Sequence, residues 1–273
     1  MDLHRETGEL QAFLQQHGRV LVLTGAGVSA ASGIPTYRDD RGRWQHNRPI
    51  QQSEFLQDEA SRRRYWARSW FGWPAVRDAR PNPAHLALAE LECRGHVELL
   101  VTQNVDRLHQ RAGSRRVVDL HGRLDRVRCL ACRRLYTRDA VQALLATHNR
   151  FTAPASRTAR PDGDADVPDA MVEAVVTPRC TECAGDLMPD VVFFGGNVPG
   201  HRVRRCRRAL ERAGALLVLG SSLSVFSGFR FCRHAARLGK SIAIVNPGDT
   251  RADDMAELRL RTPAGPLLQS LVS

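Results

Sequence analysis

The sequence predicts an α/β fold, a Rossmann-like doubly wound parallel sheet with a small module inserted into it. Five short apolar runs, at 19–24, 97–102, 117–120, 215–220 and 242–246, alternate with stretches of helical periodicity. Continuously apolar runs belong to strands buried on both faces, as in parallel sheets covered by helices. Each run ends in a polar turn: Gly25-Ala26-Gly27, Thr102-Gln103-Asn104, His121-Gly122, Gly220-Ser221-Ser222 and Asn246-Pro247-Gly248. Open α/β sheets bind ligands beyond the carboxyl ends of their strands, so these turns outline a candidate site. The alternation breaks over 124–189, where two C-x-x-C pairs sit.

Taken in order, residues 1–16 read as an amphipathic helix, with Leu3, Leu10, Phe13 and Leu14 at helical spacing. The first buried strand follows at 19–24. Helical patterns lie at 83–93, 106–112, 202–212 and 229–238, between the later strands. The expected division is a Rossmann-like domain from 1–123 and 190–273, and an inserted module over 124–189. That module carries a loose, flexible loop near 152–168, rich in Ala, Pro, Asp, Arg and Thr.

At 273 residues the chain is long enough for one large domain with a small one. No apolar run approaches the roughly 20 residues of a membrane span. The opening Met1-Asp2-Leu3-His4-Arg5-Glu6 lacks the basic start and apolar stretch of a secretory signal. A cytoplasmic monomer is expected, with no membrane association. The formal net charge is +11, which raises nucleic-acid binding as a reading. Lys240 is the only lysine, so this charge is nearly all arginine, as a genome-wide arginine bias would also produce. Nucleic acid is therefore not the expected partner; a patch for acidic substrates fits the charge as well.

The first turn extends through Gly25-Ala26-Gly27-Val28-Ser29-Ala30-Ala31-Ser32-Gly33-Ile34-Pro35. Glycines directly after a strand let backbone approach a pyrophosphate, and the helix start beyond offers free N–H groups. The spacing is not G-x-G-x-x-G, and Pro35 stops the helix early. The chain then enters a polar stretch, 36–49, suited to closing over a ligand. A tight structural turn is the competing reading of these glycines.

Cys129, Cys132, Cys180 and Cys183 form the two pairs, and Cys93, Cys206 and Cys232 stand alone. Four thiolates suit a closed, tetrahedral, structural zinc site. The 47 residues between Cys132 and Cys180 exceed zinc-ribbon spacing, and a redox pair is the alternative.

Residues 25–38 resemble the sirtuin signature. Thr102-Gln103-Asn104-Val105-Asp106 resembles the second family motif and His121-Gly122 the third; the cysteine pairs, Gly220-Ser221-Ser222 and Asn246 follow in family order. The resemblance spans about 18–268. Arg64-Tyr65-Trp66-Ala67-Arg68, Gly72-Trp73-Pro74 and Ala112-Gly113-Ser114-Arg115-Arg116 look closest to class II sirtuins, of the mitochondrial type described as lipoamidase, deacylase and ADP-ribosyltransferase.

The resemblance implies an NAD-consuming protein lysine deacylase acting on acyl-lysine proteins or peptides, with NAD and Zn2+ as its groups. The acyl-lysine oxygen attacks the anomeric carbon as nicotinamide leaves, forming an alkylimidate. His121 then acts as general base on a ribose hydroxyl, a role suited to a near-neutral pKa. Gln103 holds the ribose, and Asn104 and Asp106 hold the nicotinamide amide and an ordered water. Arg38 joins His121, Asn104 and Asp106 as catalytic. Gly25, Ala26, Gly27, Ser29, Ile34, Pro35, Tyr37, Arg38 and Val105 line the cofactor loop side. Gly220, Ser221, Ser222, Asn246, Pro247, Gly248 and Ala264 hold the adenosine half.

Thr36 stands where the family usually has an acid, which puts plain deacetylation in more doubt than NAD cleavage. Val192, Phe193, Phe194 and Gly195, with Val225 opposite, resemble the segments that pair with the substrate peptide as an added strand. Gly196 replaces the acid usual after Phe-Phe-Gly. Tyr65 and Arg68, three apart on a helix, resemble a pair that reads a terminal acyl carboxylate. This raises a preference for dicarboxylic acyl groups against the alternative of a solvated basic face. Mono-ADP-ribosylation from the same NAD site is the second activity the resemblance allows. A basic zinc-module nucleic-acid binder is a third reading, opposed by Asn104, Asp106 and His121 occurring together.

Overall fold

The computed structural model describes residues 2–37, 49–151 and 162–273. Among these lie nine strands: β1 (Val20–Thr24), β2 (Val97–Thr102), β3 (Val117–Asp119), β4 (Gly122–Cys129), β5 (Leu135–Thr137), β6 (Leu187–Val191), β7 (Ala215–Leu219), β8 (Ile242–Val245) and β9 (Leu258–Leu260). Six of them form one parallel sheet in the order β3-β2-β1-β7-β8-β9. Numbered along the chain within that sheet, the order is 3-2-1-4-5-6, the doubly wound arrangement. The winding reverses between β1 and β7, which opens a crevice at their carboxyl ends.

The period of two along each strand divides its side chains between two cores. Val20, Val22, Leu217, Leu219, Ala243 and Val245 join one core with the helices Leu3–His17, Pro83–Cys93 and Ala264–Val272. Leu21, Leu23, Leu216, Val218, Ile242 and Ile244 join the other, against the helices Gly200–Arg212 and Phe226–Arg237. All five residues of β1 and of β7 are buried. Full burial of one such aliphatic side chain stabilises by about 1.5–3 kcal/mol, which explains runs without a polar face. The helices cap locally: the Asp2 carboxylate accepts from the His4 and Arg5 N–H groups, and Asn82 accepts from the Ala84 N–H ahead of Pro83.

The second sheet is antiparallel, in the order β5-β4-β6. Its core gathers Val127, Val141, Leu145, Leu187 and Met188. Phe55, Tyr65 and Trp66 enter the same core, from the helices Gln52–Gln57 and Glu59–Asp78. Residues 52–78 were expected with the large domain; their aromatic rings instead pack on the small sheet, with Tyr65 edge-on to Phe55 and Phe193. Several elements escaped the periodicity, two of them for a visible reason. β9 has only three residues with Arg259 at its centre, and the helix Arg138–His148 buries an arginine, Arg138, between Trp66 and Trp73. The helix expected at 106–112 contracts to Leu108–Arg111, because Arg107 is left-handed at φ +69° and Asp106 accepts the Leu108 N–H instead.

Candidate functional site

The crevice holds a cavity of about 730 Å³, within the size of small-molecule sites. Its floor is built where β1 and β7 end. The Gly25 N–H donates to Leu219 O at 3.1 Å and the Gly27 N–H to Gly220 O at 2.9 Å, knitting the two turns together. A Cβ on Gly25 would lie 2.7 Å from the Cβ of Ser221. Gly220 adopts φ +57°, and a Cβ there would meet the Val28 nitrogen at 2.6 Å. Only glycine permits this approach, which leaves a concave backbone surface under the cavity. Ala26, Gly27, Ser29, Ile34, Pro35, Thr36 and Tyr37 form the adjoining wall. Arg38 falls outside the described residues.

Gln103, Asn104, Val105, Asp106 and His121, from the ends of β2 and β3, face the same cavity. His121 Nδ1 lies 2.9 Å from the Gln103 carbonyl oxygen. A carbonyl only accepts, so Nδ1 carries the proton and Nε2 is left as an acceptor. The Ser227 hydroxyl, 2.7 Å away, donates to Nε2. Burial lowers His121 to about 4, opposed in part by the Gln103 hydrogen bond and reinforced by Arg202 and Arg230. The ring is therefore neutral at physiological pH and able to take up a proton.

Asn104 Nδ2 donates to Gly25 O and to Ser29 Oγ, both at 3.0 Å. The Ser29 hydroxyl in turn donates to Asp106 Oδ2 at 2.7 Å, and the Leu108 N–H to Asp106 Oδ1 at 2.8 Å. Burial raises the Asp106 carboxyl above the usual range despite these two donors. Gln103 Nε2 reaches Ser221 Oγ at 2.8 Å. The amide and carboxyl expected at the nicotinamide end thus share one network through Ser29.

On the opposite side Gly220, Ser221, Ser222, Asn246, Pro247, Gly248 and Ala264 line the cavity together. Asn246 Nδ2 donates to Gly248 O at 2.7 Å, fixing that turn. Val192, Phe193, Phe194, Gly195 and Val225 line the remaining mouth. The Val192 N–H donates to the His121 carbonyl at 2.7 Å, so this segment hangs from the histidine's own backbone.

The expected Tyr65–Arg68 pair is divided. Tyr65 lines the cavity but is 3% exposed, and burial lifts its phenol pKa well above normal. Arg68 is absent from the cavity wall among the described residues; its Nε faces Asp164 Oδ2 at 3.3 Å. Asp162 and Asp164 line the cavity themselves. Their placement had no counterpart in the sequence reading, because they lie within the stretch, 152–168, expected to be a loose loop.

Other functional neighbours were also missed. Ser227 opens a helix with no polar pattern to mark it, and Arg230 was one arginine among many. His85 and His109 lie with ring centroids 4.8 Å apart and planes tilted by 57°, with burial lowering both. Thr24 Oγ1 lies 2.9 Å from His109 Nε2. Only three-dimensional proximity joins them to the site.

The sulfurs of Cys129, Cys132, Cys180 and Cys183 all lie within 4.8 Å of one another. Cys129 and Cys183 are 3.5 Å apart, Cys132 and Cys180 3.6 Å. A tetrahedron with metal–sulfur bonds of about 2.3 Å has sulfur edges of about 3.8 Å, so the cluster fits zinc. It lies at the turns of β4 and β6, in the small sheet.

Fold and site together define a dinucleotide-type α/β protein with a neutral imidazole in its crevice and a four-cysteine cluster alongside. The family model described as "Sir2 family" matches residues 25–227. A relative from Xanthomonas campestris pv. campestris, named "NAD-dependent protein deacetylase", is 52% identical over 92% of this chain and 86% of its own length. One from Monosiga brevicollis, "NAD-dependent protein deacylase SIR4", is 46% identical over 95% of this chain and 86% of its own. A solved "Sir2-p53 peptide-NAD+" complex superposes with a TM-score of 0.76 at 31% identity, covering 96% and 95% of the two chains. The chain belongs to the Sir2 family. Among the described residues, no helix is long and apolar enough to cross a membrane.

Proposed function

We propose that this chain is an NAD-dependent protein lysine deacylase, moving the acyl group of a modified lysine onto ADP-ribose as nicotinamide leaves. The observation that carries the reading is His121: a neutral ring with a fixed tautomer, opening onto the same cavity as the Gly25–Gly220 cradle. The absence of Cβ atoms from that cradle suits a pyrophosphate, which needs backbone at close range. NAD supplies the electrophilic anomeric carbon when bound. Gln103 and Ser221, already joined by a hydrogen bond, are positioned to hold ribose hydroxyls. Asn104 and Asp106 offer a donor and an acceptor to a carboxamide. His121 Nε2 takes the proton from a ribose hydroxyl, with the Ser227 hydroxyl giving way. The acyl-lysine stem runs along Val192 and Phe194, which line the cavity, with Val225 at its mouth.

For the acyl group, Arg68 is already engaged by Asp164, and two aspartates line the cavity. A carboxylate-tailed acyl group would have to displace Asp164 and approach Asp162. This supports neutral acyl groups, including longer ones, over the dicarboxylic ones that Tyr65 and Arg68 suggest by sequence. The resemblance of the 64–68 and 112–116 segments supports a class II assignment of the lipoamidase type.

The test is incubation of purified protein with NAD and lysine peptides carrying acetyl, longer neutral and glutaryl groups, followed by mass spectrometry. O-acyl-ADP-ribose and nicotinamide from the neutral peptides are expected, with glutaryl the poorest. ADP-ribose attached to protein, with no acyl transfer from any peptide, would overturn the reading in favour of mono-ADP-ribosylation.

A further inference from the structure

The mouth of the cavity carries a guanidinium that the deacylation chemistry does not use. Arg230 lies one helical turn beyond Ser227 and lines the cavity near His121. It has no carboxylate partner among the described residues, and its Nε is buried without a hydrogen-bond acceptor. Its guanidinium carbon lies 5.2 Å from the centroid of the Phe226 ring. Phe226 and Val225 are 48% and 42% exposed, an apolar ledge beside that charge. Burial lowers the Arg230 pKa, and the charge of Arg207, on the neighbouring helix Gly200–Arg212, lowers it further. Arg202, on that same helix, acts with Arg230 on His121. Position 196, which also lines the cavity, is glycine.

A guanidinium that lines a cavity with its Nε buried and, among the described residues, no carboxylate partner is stabilised by an anion that arrives with a ligand. We propose that Arg230 selects substrates bearing an acidic side chain close to the acyl-lysine. The inference rests on the reading of this cavity as an acyl-lysine peptide site. The ledge of Val225 and Phe226 receives the extended peptide, and the carboxylate of a flanking Asp or Glu reaches the terminal nitrogens of the Arg230 fork. Guanidinium and carboxylate match as paired donors and acceptors.

The experiment compares acetyl-lysine peptides with Glu, or isosteric Gln, at each of the two positions on either side of the modified residue. Initial rates of nicotinamide release are measured at low and high salt. At one position the Glu peptide should have a kcat/KM roughly fivefold above its Gln partner, mainly through KM, with the ratio shrinking as salt rises. In Arg230→Gln that ratio should fall to near one, and Arg230→Lys should restore part of it. Arg237→Gln, at the far end of the same helix, should keep the full ratio. Equal rates for Glu and Gln at every position, or a ratio untouched by Arg230→Gln, overturns the proposal while the deacylase reading stands. No nicotinamide release from any acyl peptide overturns both.

Discussion

The two lobes reach stability by different routes. The parallel sheet buries every residue of β1, β7 and β8 between two helical layers, so its strands are apolar end to end. The small sheet has strands of eight, three and five residues, and β5 is largely exposed. Its core borrows aromatic rings from residues 55–66, and four cysteines tie its turns. The lesson is that hydrophobic burial organises one lobe without help, whereas the core of the other includes two of four cysteines, Cys129 and Cys180, gathered at metal-ligand distance.

The largest expected effect is therefore metal removal. Chelation, or Cys129→Ser, should withdraw a stabilisation on the order of 10 kcal/mol from the small lobe. Hydrogen exchange should then show protection lost over β4, β5 and β6 but retained in β1, β2 and β7. Equal loss in both sheets would break the contrast. Next comes His121→Ala, at the seam of the lobes: nicotinamide release driven by acyl-lysine should fall at least about 100-fold. The melting temperature should change little, since the ring is held by only two hydrogen bonds.

Leu217→Ala, within the parallel sheet, should cost about 2–5 kcal/mol by denaturant titration, with zinc content unchanged. A loss of zinc there would mean that the lobes are less independent than their cores suggest. The smallest effect concerns pH. Burial lowers His121 to about 4, so the free enzyme keeps its proton acceptor as pH falls from 7.5 to 6. The neutral form is lost only as pH drops through about 4. A rate profile for kcat/KM should stay within about twofold over that interval. An acidic limb near 6.5 would show that the ring is less desolvated than its surroundings imply.

The contrast also explains what the sequence made legible. β2 was read at its observed bounds, Val97–Thr102, and β1, β7 and β8 differ from the expected runs by a residue at one end. Their signal is composition, because burial on both faces excludes polar side chains. β9 gave no such signal, since Arg259 sits mid-strand and bonds the Asn246 and Gly248 carbonyls. The cysteine cluster was legible from its two C-x-x-C pairs, although the 47 residues between Cys132 and Cys180 left a redox pair as the alternative. The turns at Gly25, Gln103, His121, Gly220 and Asn246 were found because strand ends are local features, and the cavity gathers all of them. Ser227, Arg230 and the Arg68–Asp164 pair were not, because each depends on which helix crosses which strand end. Tyr65 and Arg68 do share a helix, but whether that face meets cavity or acid was decided by residues about a hundred positions away.

Gln103 carries one consequence beyond its own contacts. Its main-chain oxygen sets which imidazole nitrogen is bare, and its side-chain amide spans the crevice to Ser221. Proton placement on the imidazole and a tie between two strand ends thereby fall to one residue. Replacing it disturbs both at once, so variation should collect at the mouth and spare position 103.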